Sequence, residues 1–334
     1  MNRHDARAEK HGGVASVKIA AGMRMFEIYA TAVQHNITVV GGSDPNVGVG
    51  GWITGGGHSP ISSKYGLGAD QVLEMDVVTA DGTFLRINEH SYPDLFWAMR
   101  GGGGSTFAVL TSVTVRAFPS TPATLSFFSY NTTANSDTFW SLAAYFHSQL
   151  PSLSNNSVMG YYYVYADTSA AEPNPALRGK VYGLWIIPEH TAAQADAIIS
   201  PIEEALGTFN WSDPVSVSRY AREVPDFISA WLLQIQPEPV GFDGRLGSRL
   251  LDGEALSSDL GKIRSLLKQA TPIPQLPSVG HLVAGPGVRN VDIPGGSNAV
   301  NPAWRNAYVH LGKCRKLSVS PFGVGQLPCS IIFC

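Results

Sequence analysis

The stretch whose reading decides the fold is "GGWITGGGHSPISSKYGLGADQVLEMDVVTADG", residues 50–82. Six glycines fall within its first eighteen residues, and a β-branched run follows at once. Backbone without Cβ lets a ligand approach closely, and main-chain NH groups exposed by tight turns form a concavity for phosphate or another electron-rich group. The other reading of such a stretch is a flexible surface loop. Standard nucleotide fingerprints do not fit, because no Gly-Lys-Ser/Thr ends the segment and Gly48, Gly50 and Gly51 are not spaced as Gly-x-Gly-x-x-Gly. No Gly-x-Ser-x-Gly elbow surrounds Ser59 or Ser105, which disfavours a serine hydrolase.

Working outward, "VLEMDVVTADGTFLRIN" (72–88) reads as a hairpin turned at Asp81-Gly82, a dipeptide that tolerates positive φ. Upstream, "VKIAA" (17–21) is a short strand, and "MRMFEIYATAVQH" (23–35) places Met23, Phe26, Ala30 and Val33 at helical spacing. "TVV" (38–40) is a strand halted by Gly41-Gly42. Downstream, "PDLFWAMRGGGG" (93–104) is a helix opening at Pro93 and Asp94 and ending at Gly101. "TFAVLTSVTVRAF" (106–118) alternates so that Phe107, Val109, Val113 and Val115 share a face. Residues 1–118 therefore form one α+β unit.

Pro119 and Pro122 flank a change of grammar. "DTFWSLAAYFHSQL", "TAAQADAIISPIEEAL" and "GEALSSDLGKIRSLLKQA" have helical patterns, whereas "LSFFSY", "GYYYVYA" and "KVYGLWII" have strand patterns. The expectation for residues 119–312 is a second α+β unit, an antiparallel sheet covered by helices.

Composition limits the partners. The 334 residues are 44% hydrophobic with no run of membrane-spanning length, and a net charge of -3 with 15% charged residues offers no basic stripe for nucleic acid. Neither a membrane nor a nucleic acid is expected. All three cysteines, Cys314, Cys329 and Cys334, lie in the last twenty-one residues, so neither a disulfide framework nor a Cys-based metal site serves the main body. The nine histidines form no His-Glu-x-x-His helix, and no metal is expected. The polar start lacks an apolar signal core, yet Asn36, Asn131, Asn155 and Asn210 each open a glycosylation sequon.

Two longer stretches, "DPNVGVGGWITGGGHSPISSKYGLGADQVLEMDVVTADG" (44–82) and "PDLFWAMRGGGGSTFAVLTSVTV" (93–115), closely resemble the PCMH-type FAD-binding domain of the berberine-bridge-enzyme-like oxidases. That family belongs to the vanillyl-alcohol-oxidase superfamily. The match runs from about Val17 to Phe118; "GSRLL" (247–251) and "NPAWRNA" (301–307) extend it more weakly. The resemblance implies FAD at the junction of an FAD-binding domain and an α+β substrate domain. It places Pro45, Val47, Gly48 and Gly51 alongside the flavin, and Gly55, Gly56, Gly57, His58 and Ser59 near the ribityl and pyrophosphate portions. Val77 and Val78 would offer main-chain groups to the adenosine end. The implied reaction moves hydride from a small alcohol, amine, sugar or secondary metabolite to flavin and then to dioxygen. The alternative is a non-catalytic remnant of the family.

Within that resemblance, Val47 holds the position thought to control dioxygen access, or is an ordinary packed valine. Tyr161, Tyr162, Tyr163 and Tyr165 lie on the strand from which relatives recruit a base, or are core; no base is assigned. Asp44 stands where many relatives carry a cysteine linked to the flavin, so that thioether cannot form. The family's upstream Gly-Gly-His loop is not found before "VKIAA", which implies a partial FAD-binding domain with weak FAD binding. Residues 313–334, "KCRKLSVSPFGVGQLPCSIIFC", hold every cysteine and fall outside the resemblance, and Gly-Lys-Cys can be encoded with an intron-like GTAAGT. They are expected to be an unpacked tail of translated intron, past the point where strand patterning stops at Gly312.

Overall fold

Residues 72–88 form the expected hairpin, with Gly82 at φ 84° in the turn. The computed structural model describes residues 6–104, 106–169, 172–233 and 244–316. In chain order the first strands are β1 (Ala6–His11), β2 (Val14–Ala20), β3 (Ile37–Thr38), β4 (Val72–Val78), β5 (Phe84–Ile87), β6 (Val109–Arg116) and β7 (Phe118–Pro119). Five of them make an antiparallel sheet ordered β1-β2-β6-β4-β5, and β3 pairs with β7. The following strands are β8 (Ala123–Thr132), β9 (Met159–Tyr165), β10 (Gly179–Pro188), β11 (Ser216–Val224), β12 (Gly244–Asp252), β13 (Ser278–Leu282) and β14 (Ala307–Lys316). They form one antiparallel sheet ordered β11-β8-β10-β9-β13-β14-β12. The chain is α+β throughout, and no described helix is long and apolar enough to cross a membrane.

Strand alternation gives the second sheet two apolar faces. Phe128 and Tyr130 of β8, Tyr162 and Val164 of β9 and Trp185 of β10 meet the helices Asp137–Asn155, Ala192–Leu206 and Leu260–Gln269 in one core. Leu125, Met159, Tyr161 and Ile186, one register position away, join a second core with Ile19, Met25, Ile53 and Val113 of the first unit. Helices therefore cover one face of this sheet, and the glycine-rich unit covers part of the other.

A charged joint fixes how the units meet. Asp70 is 0% exposed, and Arg305 grips it bidentately, Nη2 donating to Oδ1 at 2.7 Å and Nη1 to Oδ2 at 2.8 Å. Asn298 Nδ2 donates to Oδ1 at 2.7 Å and the Leu67 main chain to Oδ2 at 2.8 Å. The guanidinium also donates to the Val288 carbonyl and to Asn298 Oδ1. Smaller links, Ser63 to Ser154 and Tyr65 to Thr121, cross the same boundary.

Several details differ from the sequence reading, each for a local reason. The strand expected at 38–40 is Ile37–Thr38, where pairing with Pro119 and Phe118 sets its extent. The helix Met25–Gln34 buries Met25, Ile28, Tyr29 and Ala32, whereas Phe26 is 50% exposed; both sets satisfy helical spacing, so periodicity alone did not choose the face. In β6, Leu110 pairs with Val77 and Ser112 with Asp76, leaving Thr111 as a bulge. That extra residue reverses the alternation, so Val113 and Val115 are buried while Val109 is 65% exposed. Residues 253–270 make two helices, Gly253–Leu256 and Leu260–Gln269, because Asp252 and Asp259 each cap a separate start. Finally, β14 runs past Gly312: Lys313 pairs with Gly247 and Ser278, and the strand ends at Lys316. Main-chain pairing to two neighbours carries the strand onward whatever the side-chain pattern. The rest of the expected tail, residues 317–334, lies outside the described residues.

His147 provides a test of the helix-covered core. It is fully buried against Phe146 and Tyr162, its Nδ1 donates to the Ala143 carbonyl, and Nε2 has no hydrogen-bond partner among the described residues. Burial pushes its pKa down to about 4. Between pH 6.5 and 4 the unfolded chain therefore binds a proton that the folded chain rejects. Stability is full above about pH 6.5 and falls by about 1.4 kcal/mol per pH unit below it through this residue. Denaturant unfolding from pH 7 to 4.5 should show a slope that His147→Gln makes shallower by that amount; an unchanged slope contradicts the burial argument.

Candidate functional site at the junction of the two units

The segment 44–59 folds back on itself around Trp52. Asp44 Oδ1 accepts from the Asn46 main chain at 2.7 Å, and the Pro45 and Val47 carbonyls accept from Phe26 and Met25 at 3.0 Å. The turn thus docks on the first helix, with Val47 partly buried against the core. The helix Val49–Thr54 buries Val49, Trp52, Ile53 and Thr54 and leaves Gly48, Gly51 and Gly55 exposed along its other side. The Thr54 carbonyl accepts from both Gly101 and Gly103, tying the second glycine loop to this helix.

The glycines divide into two kinds. A Cβ at Gly48 or Gly51 would meet nothing within 4 Å. At Gly57 a Cβ would fall 2.7 Å from the Trp52 ring, and Gly57 holds φ 65°. Gly68 approaches Trp52 in the same way, at 2.4 Å. Gly56 packs against Val300, and the Gly56 and Gly57 carbonyls accept from Ala69 and Gly68. Gly57 thus serves packing, while Gly48 and Gly51 present bare backbone to open space. Ser59 is used within its own turn, its main chain donating to Ser62 Oγ at 2.9 Å. Val77 is fully buried and Val78 half-buried in β4, and both pair with β5 and β6.

His58 leaves this segment and enters a cluster that linear reading did not assemble. In register across three adjacent strands lie Tyr161 of β9, His281 of β13 and His310 of β14. His58 covers that row, with ring centroids 5.0 Å from His281, 5.7 Å from His310 and 6.4 Å from Tyr161. Trp304 closes one side, 6.1 Å from His58 and 5.6 Å from His310. His281 Nδ1 donates to the His310 carbonyl at 3.1 Å, which fixes its tautomer. Ser43, beside Asp44, lies near the Tyr161 hydroxyl, so the segment before the helix reaches the row as well.

Electrostatics keep the cluster neutral. Burial, helped by the neighbouring His310, pushes the His58 pKa down to about 3. Burial and then the other two histidines hold His281 well below its usual value, and burial lowers His310. Of the four tyrosines, Tyr161 lies in this row, its ring against His58 and His281. Tyr163 and Tyr165 stack on Tyr182, and Tyr162 points into the helix-covered core. Nothing in the spacing of "SVGHLV" and "AYVHLG" announced that His281 and His310 would pair; the signal was a histidine inside each apolar strand.

The comparisons with known proteins agree with this architecture. Residues 7–88 match the family model described as an FAD binding domain. An uncharacterized FAD-linked oxidoreductase of Arthroderma benhamiae is 33% identical over 94% of this chain and 54% of its own length. The FAD-linked oxidoreductase patO of Aspergillus clavatus is 32% identical over 86% of this chain and 48% of its own length. The crystal structure of the VAO-type flavoprotein MtVAO713 from Myceliophthora thermophila superposes with TM-score 0.81 at 30% identity, covering 90% of this chain and 53% of that one. Residues 7–88 thus carry an FAD-binding domain, and over nearly its whole length the chain is similar to FAD-linked oxidoreductases and to a VAO-type flavoprotein. It spans about half the length of the curated relatives it matches.

The division among glycines is testable by stability. Gly57→Ala forces a side chain into positive φ against Trp52 and should cost about 2 kcal/mol or more. Gly51→Ala, helical and unobstructed, should be neutral or stabilise by up to about 1 kcal/mol. Equal losses in thermal denaturation would contradict the assignment.

Proposed function

We propose that this chain supplies the flavin-facing backbone and the substrate sheet of an FAD-dependent oxidoreductase. Its substrate would be a small alcohol, amine, sugar or secondary metabolite, oxidised where the two units meet. The observation that carries the reading is the convergence of His58, from the glycine-rich segment, with Tyr161, His281 and His310 on the sheet. Names borne by relatives, FAD-linked oxidoreductase and VAO-type flavoprotein, support it.

The residues present fit the cofactor. Gly48 and Gly51 offer bare backbone where a Cβ would fill open space, and the Trp52 packing and the Thr54 links hold that backbone rigidly. FAD, when bound, supplies hydride acceptance from a substrate carbon and delivery of electrons to an acceptor, here taken as dioxygen. The chain's own work is to hold the substrate and take its proton. Neutral imidazoles can accept a hydrogen bond from a substrate hydroxyl or amine, and His310, the half-buried member, is the proton acceptor in this reading. Its Nδ1 is buried and has no hydrogen-bond partner among the described residues. Trp304 and Tyr161 supply apolar walls that exclude water.

The test is an FAD titration of the purified chain, followed by flavin fluorescence. Gly51→Ala should weaken binding at least tenfold while the melting temperature is kept. Equal affinity in the variant, or no saturable binding by the parent, overturns the reading. Anaerobic mixing of bound FAD with alcohols, amines and sugars then separates catalysis from a non-catalytic remnant: bleaching by any donor supports the first, and none supports the second.

A further inference from the structure

We propose that His58, His281 and His310 form a binding site for a divalent transition-metal ion of borderline softness, with zinc(II) the best match. The three imidazoles come from three segments far apart in the chain, and their ligating nitrogens all lie within 4.8 Å of one another. Two are buried and the third is half-buried. An ion about 2.1 Å from each nitrogen would hold the three roughly 3.4 Å apart. With His281 held by its hydrogen bond, the proposal requires the His58 and His310 side chains to supply this contraction.

The surroundings resemble those of a metal site more than a histidine-lined core. His281 donates from Nδ1 to the His310 carbonyl at 3.1 Å, which leaves Nε2 as its ligating atom and sets the ring plane, the usual role of the outer shell around a bound metal. The register pairing of His281 with His310 presents two ligands from adjacent strands on one face, a rigid base for a third. Three histidines and no carboxylate leave an ion at full charge with at least one open position. An oxygen ligand fits there: water, hydroxide or the hydroxyl of a bound small molecule. A ligand set of nitrogen alone selects zinc, copper, nickel or cobalt over magnesium or calcium, which take oxygen. The inference does not depend on FAD, because every ligand belongs to the protein; an ion there takes up the His310 lone pair, so in the metal-bound form a hydroxide on the ion, and not His310, is the proton acceptor.

The experiment uses the full chain carrying Cys314→Ser, Cys329→Ser and Cys334→Ser, so that thiolates cannot supply a competing site. The metal-free protein is titrated with cobalt(II), followed by its tetrahedral absorption bands, and the cobalt is then displaced with zinc(II). One equivalent should bind, and His58→Gln, His281→Gln and His310→Gln should each weaken binding at least tenfold. His35→Gln, an exposed control, should leave it unchanged. Because His58 and His281 are buried, His310→Gln carries the test if the other two variants lose their folded circular dichroism. No saturable binding, or binding that His310→Gln leaves intact, overturns the proposal. An FAD titration of the same sample reads the functional proposal separately, so failure of one does not count against the other.

Discussion

A carboxylate with no exposed surface, Asp70, governs the relation between the two halves of this molecule. Removing a charge from water costs several kcal/mol, and that cost is offset only where the partners are complete. Here they are: a bidentate guanidinium, an amide side chain and a main-chain NH, two of them contributed by residues 298–305. The first unit therefore has a standing penalty unless the second docks in one orientation. Sheet pairing alone would not impose this, because neither sheet shares a strand with the other.

The functional geometry follows from that orientation. Once the joint is made, Gly56 lies against Val300 and the turn after Trp52 points His58 at the row formed by β9, β13 and β14. Each component is ordinary in isolation: a turn, three strands, a tryptophan. Their meeting makes a buried, uncharged cluster of nitrogen bases beside a stretch of bare backbone. The glycines that seem redundant in sequence have separate duties, some making room for Trp52 and others staying open on the far side of the helix.

Much of this was legible in the sequence. The Asp81-Gly82 hairpin, the helix after Pro93 and the antiparallel second sheet follow from turn chemistry and alternation, which are local. What stayed hidden was long-range. The bulge at Thr111 is one residue deep, yet it turns Val109 away from the core. His281 and His310 become neighbours only through strand register, which no spacing encodes. Arg305 stood inside "NPAWRNA", a stretch noted only for its resemblance, and its partner is fixed by tertiary structure alone.

The central claim is that the Asp70–Arg305 pair sets the docking of the two units, and a double-mutant cycle tests it most directly. Asp70→Ala, Arg305→Ala and the double variant are unfolded in denaturant alongside the parent chain. Each single change should cost about 3 kcal/mol or more, because it strands a charge or its partners, and the double should cost far less than the sum, giving a coupling of about 2 kcal/mol or larger. Additive losses, with a coupling below about 0.5 kcal/mol, would contradict the account.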